Sequence, residues 1–485
     1  MSNKIGSFVL VCMTLLLVSC HADLNVHYKS GVTANNMWEN ESDATAAVYG
    51  TYRQFRATYA TAYAFWGEYR TGLWGAGNDG SESYRDEIYL NKISASNSFC
   101  NWGQLYTTIN DCNLILKYTP NIHFTDEDKK KQVLANAYYV RAFCYYWIAR
   151  LWGDAPILLN GFESDKQDDL FPYRKPVTEV FQQVSDDINE ALSLMPAKVK
   201  DRNMASSAAI NMLKADFHLW MSKVNGKGRE ALLQAQTAIA AIKSDNDYSL
   251  QSEYASVFEK KLNSEIIFAW SFLRDECTGG YPDVFLEAIQ NVTSSYHENP
   301  VKVGSVRQRC FYTQEYMEFM ASDERDTRTK VSYSTYFDAE KKRNQQWINK
   351  FAGTWEDGTR IFDSDIIVYR YADVLLFSAE IENALGNSEG AIADLNEIAK
   401  RAYRVENYYS KSMSSQEIET KILEERMKEF AAEGKLWWDF IRMGVVFEKV
   451  PSLNGRENSK NVLLWPVANG SINSNPNITQ TEFDD

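Results

Sequence analysis

The stretch "YADVLLFSAEIENALGNSEGAIADLNEIAKRA", Tyr371 to Ala402, decides the fold. Apolar residues recur at helical spacing from Tyr371 to Leu385, Gly386 and Asn387 interrupt them, and the spacing resumes from Ser388 to Ala402. Two helices joined by a short glycine-containing turn, closing within roughly 34 residues, make a tetratricopeptide-like unit. The same plan occurs earlier, with Ser206 to Val224 as one helix, Gly226 and Gly228 in the turn, and Glu230 to Ile242 as the second. One such pair cannot bury its apolar face alone, so several must stack into a scaffold.

Outward from these pairs the pattern stays helical. Capping residues from Asn40 to Asp43 precede a helix from Ala44 to Phe55, Trp102 to Tyr118 carries a stripe of Leu105, Ile109, Cys112 and Leu116, and Thr178 to Met195 ends before Pro196. Residues 131–152 are apolar on nearly all sides, which predicts a buried helix. Between the blocks, residues 262–362 read as loops and short strands, with a β-type run from Ile266 to Phe272 and Trp347 in a strand before Lys350 and Phe351. The expected fold is therefore mainly all-α: a tetratricopeptide-like helix-pair scaffold with an irregular, loop and short-strand ligand lobe.

The N-terminus assigns the compartment. Lys4 is followed by an apolar run from Phe8 to Val18, closed by Leu17, Val18, Ser19 and Cys20. The run is too short to span a bilayer, which takes about 20 apolar residues, and it reads as a secretory signal ending in a lipobox. Residues 1–19 are the expected signal peptide, Cys20 the acylated residue, and residues 20–38 a lipidated tether. Residues 39–485 are the expected domain, with scaffold at about 39–260 and 365–445 and the lobe at about 262–362.

Composition bounds the chemistry. The net charge of −14 becomes −15 once the signal, with Lys4 and no acid, is removed. That acidity argues against nucleic acid, whose phosphates require clustered Lys and Arg. Cys100, Cys112, Cys144, Cys277 and Cys310 form no CxxC pair and read as small buried hydrophobes. The five histidines have no metal-ligand spacing, and no GxSxG motif occurs. No cofactor or metal site is expected, although a structural calcium held by loop oxygens would leave no spacing signature.

Four strings, in order, resemble the SusD/RagB family of surface nutrient-binding lipoproteins. They are "RAFCYYWIARLWGDAPIL" from Arg141, "YRYADVLLFSAEIENALGN" from Tyr369, "EERMKEFAAEGKLWWDFIRMG" from Glu424, and the tail with Asn475, Pro476, Asn477 and Gln480. The resemblance implies a lipid-anchored, surface-exposed outer-membrane protein that captures oligosaccharide and passes it to a SusC-type TonB-dependent transporter. It implies binding and no catalysis. Other readings are peptide capture, a helical glycoside hydrolase using Asp79, Asp275 and Asp283, and a protein-binding scaffold.

Arg370 with Asp373, Arg426 with Glu429, and Asp439 with Arg442 are spaced three apart, and are read as ion pairs between helices rather than catalytic groups. Glu424, Glu425 and Glu433 are expected on a solvated face. Sugar binding needs aromatic faces beside polar forks. Two loop stretches offer them: Trp74, Asn78, Asp79, Tyr84 and Arg85 in the first, Tyr281, Tyr296 and Asn299 in the second. Trp355 stands equally between ligand and core.

Overall fold

The computed structural model describes residues 37–484, apart from 81–82, 169, 277–278, 280–283 and 306. The signal segment and Cys20 lie outside the described residues. Residues 40–485 cluster as one unit, separate from residues 1–39.

The fold is mainly α. The first helix, α1 (Glu41–Gly67), begins at a capping box in which the Asn40 side chain accepts from Ser42 N and Asp43 N while Asp43 accepts from Asn40 N. It runs well beyond the expected Phe55, because Tyr59, Tyr63 and Trp66 stay apolar on its buried side. There follow α2 (Gly103–Tyr118), α3 (Glu127–Trp152), α4 (Val177–Leu194), α5 (Ser207–Lys223) and α6 (Gly228–Lys243). Beyond the lobe come α7 (Tyr371–Leu385), α8 (Ser388–Tyr403), α9 (Ser415–Glu429) and α10 (Leu436–Arg442). Helices α5 and α6, and α7 and α8, pack as the two expected pairs, and α7 also lies against α6 and α9. Gly386 ends α7 with φ of 90°, a left-handed backbone that glycine adopts without strain.

Strands are short and pair in twos. β1 (Trp74–Ala76) runs antiparallel to β5 (Cys310–Tyr312), and β2 (Ile266–Trp270) antiparallel to β10 (Ile366–Arg370). β3 (Glu287–Ala288) lies parallel to β4 (Val303–Gly304), while β6 (Ser334–Asp338) with β7 (Arg343–Trp347) and β8 (Thr354–Glu356) with β9 (Thr359–Ile361) are antiparallel pairs. Cys100, Cys112, Cys144 and Cys310 are free and buried, as expected.

The scaffold interior is charged as well as apolar. Among the described residues, eight cations and eight carboxylates form one continuous buried network through α7, α9, α10 and the end of β10. Arg370, fully buried, donates to Glu265 at 2.8 Å and to Glu433 at 2.9 and 3.0 Å, and also pairs with Glu429. Taking such charges out of water is costly, and the equal count of opposite charges offsets that cost.

The network corrects one expectation. Glu425 and Glu433 are not on a solvated face: they are 1% and 2% exposed and paired with Arg328 and with Arg370 and Lys350. Of the three pairs spaced by three, Asp439 and Arg442 meet directly at 2.9 Å. Arg426 turns instead to Asp439, at 2.8 Å. Other family-like strings are structural too. Arg141 grips Asp187 with two nitrogens, at 2.6 and 2.8 Å, and Asn475 and Asn477 donate to the carbonyls of Pro172 and Phe171.

Candidate functional site

The lobe has its own small core of Leu286, Val292, Val301, Val303, Trp347 and Phe362. Tyr296, Tyr336 and Trp355 pack on it half-buried, so each covers core with one part of its ring and leaves another toward solvent. Asp338, at the end of β6, accepts from Thr293 N and Oγ1, both at 2.8 Å. That tie fixes the turn carrying Tyr296 beside the β6–β7 hairpin, and the rings of Tyr296 and Tyr336 meet edge to face at 5.3 Å. His297 lies 6.2 Å from Trp355, and the Arg360 guanidinium 5.0 Å from the same indole. Asn299 is exposed three residues beyond Tyr296.

The loop after β1 reaches this lobe. Asn78 donates through Nδ2 to Asn344 O at 3.0 Å and to Glu287 Oε1, and Asp79 accepts from Asn291 Nδ2 at 2.6 Å and Gln308 N at 3.1 Å. Gly77 allows the approach, since a Cβ there would stand 2.6 Å from Gln308 O. Burial pushes the Glu287 carboxyl up to about 7, although Gln346 N and the Asn78 amide oppose it.

The structure thus divides the first expected stretch. Asn78 and Asp79 join Tyr296 in the lobe. Trp74 does not: it is 2% exposed, its ring lies 5.0 Å from Tyr69, 5.5 Å from Phe285 and 4.6 Å from Tyr312, and its Nε1 donates to Glu68 at 3.3 Å. Arg85 is withdrawn as well, being 7% exposed with its guanidinium over the rings of Tyr84 and Phe65. Tyr84 is half-buried and stacks near Phe65 and Phe99. Tyr281 lies outside the described residues. Tyr336 escaped the sequence reading, although its place in a short alternating strand was a usable signal.

The described residues contain no group of three His, Cys, Asp or Glu that could hold a metal, and none of their helices is long and apolar enough to cross a membrane. What the lobe presents is rings, amides and carboxylates, a set suited to noncovalent recognition of a hydroxyl-rich ligand.

The SusD family model matches residues 182–483, and a model described as starch-binding associating with outer membrane matches residues 73–215. SusD-like protein P38 of Formosa agariphila is 25% identical over 517 residues, spanning 98% of this chain and 97% of its own length. Among solved structures, NanU of B. fragilis superposes with a TM-score of 0.82 at 25% identity, covering 95% of this chain and 100% of its own. A SusD superfamily protein of Bacteroides vulgatus gives 0.80 at 25% identity, covering 92% and 99%. The chain belongs to the SusD family, as its sequence strings suggested. It is a nutrient-binding protein associated with the outer membrane.

Proposed function

We propose that the chain captures oligosaccharides on the ring face of Tyr296, Tyr336 and Trp355 and passes them, uncleaved, to a SusC-type TonB-dependent transporter. Lipid on Cys20 anchors it at the cell surface. Tyr281, Asn78, Asp79 and Asn299 complete the ligand environment. The observation that carries this reading is the trio of half-buried rings on one small core, beside amide and carboxylate groups, in a SusD-family chain.

The test is a glycan and peptide array probed with the purified chain beginning at His21, each hit then incubated and checked for cleavage. Uncleaved oligosaccharide hits are expected; a cleaved hit points to an enzyme, and peptide-only hits change the cargo. Trp355→Ala and Tyr296→Ala should each weaken the best hit by about three- to tenfold without shifting the melting midpoint by more than a few degrees. Unchanged affinity in both places the ligand elsewhere. Cys20→Ala should move the protein from the membrane to the soluble fraction, because the acyl chains are its expected anchor. A variant that stays membrane-bound without acylation removes the anchor claim.

A further inference from the structure

A cleft of about 490 Å³ opens between the β2–β10 ribbon and the lobe. Its floor is apolar, with Phe258, Ile266 and Ile367, and Thr354 on its wall is the neighbour of Trp355. Its rim is cationic. Lys260, Lys302 and Lys330 arrive from three separate segments, and none has an ion-pair partner among the described residues. Two further lysines in the wall are already neutralised, Lys261 by Asp365 at 2.5 Å and Lys350 by Glu433 at 2.8 Å. Glu259 and Asp363 also line the cleft, the latter accepting from Thr354 Oγ1 at 3.0 Å.

Lys302 is the unusual member. It is half-buried, and burial first, then the nearby positive charge of Arg360, lowers its pKa, with Glu298 and Glu259 opposing more weakly. Arg360 is 6% exposed, and its Nε and Nη2 have no hydrogen-bond partner among the described residues. Two like charges near one another in a partly desolvated place, with Glu298 the carboxylate that acts on both, leave an excess of positive charge that a bound anion relieves. It stands out in a chain of net charge −14.

Resting on the capture reading above, we infer that the ligand is an acidic oligosaccharide, whose carboxylate or sulfate is held by Lys302 and Lys330 in this cleft while a neighbouring ring stacks on Trp355. Charge-assisted hydrogen bonds to such a group are about twice as strong as neutral ones. A preference of about tenfold or more over the neutral sugar follows.

Calorimetry on the chain beginning at His21 tests it with matched pairs of oligomers: galacturonic acid and galactose, glucuronic acid and glucose, sulfated and unsulfated galactan. The expected result is tighter binding of the charged member of at least one pair, by about tenfold, the pair naming carboxylate or sulfate. Lys302→Gln combined with Lys330→Gln should abolish that preference, bringing the charged and neutral members of the pair to equal affinity, whereas Lys411→Gln, at a side chain 79% exposed elsewhere, should keep it. Equal affinity within every pair, or a preference that survives the double variant, overturns the inference while neutral binding upholds capture. Silence toward every oligosaccharide, charged or neutral, removes both.

Discussion

Replacing Arg370 by methionine should lower the stability of the fold by about 3–5 kcal/mol at neutral pH, the loss typical of breaking a buried ion pair from one side. Methionine fills much of the same volume, so what is lost is chiefly charge. Glu265, Glu429 and Glu433, all fully or almost fully buried, would then face one cation fewer. Burial alone would raise Glu433, but Arg370, Lys350 and Lys435 outweigh it and hold the carboxyl at about 2. A depressed carboxyl stabilises the fold above its unfolded value of 4.5, and that contribution fades as the pH falls from there toward 2. In the variant these carboxylates protonate more readily. The gap between parent and variant melting midpoints should therefore be widest near neutrality and narrow below pH 4.5. A gap that stays constant across that range would mean that packing, not charge, is what Arg370 supplies.

Trp74→Ala should cost about 3–5 kcal/mol as well, by leaving a cavity among Tyr69, Phe285 and Tyr312 and removing a donor from Glu68. Ligand affinity of the folded fraction should not change. Thermal melts and binding on the same preparation separate the two outcomes, and weaker binding at an unaltered midpoint would return Trp74 to the ligand. Glu68 adds a pH signature. Burial pushes its carboxyl up to about 8 despite donors from Trp74, Lys435 and Gly434. A raised carboxyl stabilises the fold fully below 4.5 and loses that contribution as the pH rises through about 8.

The helix pairs were legible because their periodicity is local: the turn at Gly386 and the apolar stripes on both sides lie within one short window. The lobe was legible only as a region. Its order depends on pairings between distant residues, such as Trp74 with Tyr312 and Asp79 with Asn291, and strands two to five residues long carry little pattern of their own. The same limit explains why Trp74, expected at the ligand, is core, and why Trp355 could not be assigned to either, since an indole among glycines reads alike whether it faces core or solvent. Glu425 and Glu433 misled for another reason. A charged helix normally marks a wet surface, and only the matching cations on β10 and neighbouring segments make a dry one affordable.

The end of α1 is joined to the last part of the chain. A Cβ on Gly67 would collide with the Gly434 carbonyl, Glu68 accepts from Gly434 N at 3.0 Å, and Arg70 donates to the carbonyls of Val462 and Leu463 at 2.7 Å. Most of α1 packs on α2 and α3, but its last turn and the segment after it thus find these partners only in the closing residues. A chain emerging N-terminus first carries the Gly67–Arg70 end of α1 unseated until nearly everything has arrived, and a product truncated before Gly434 lacks that seat. Completion of the core thereby acts as a check that the whole chain is present.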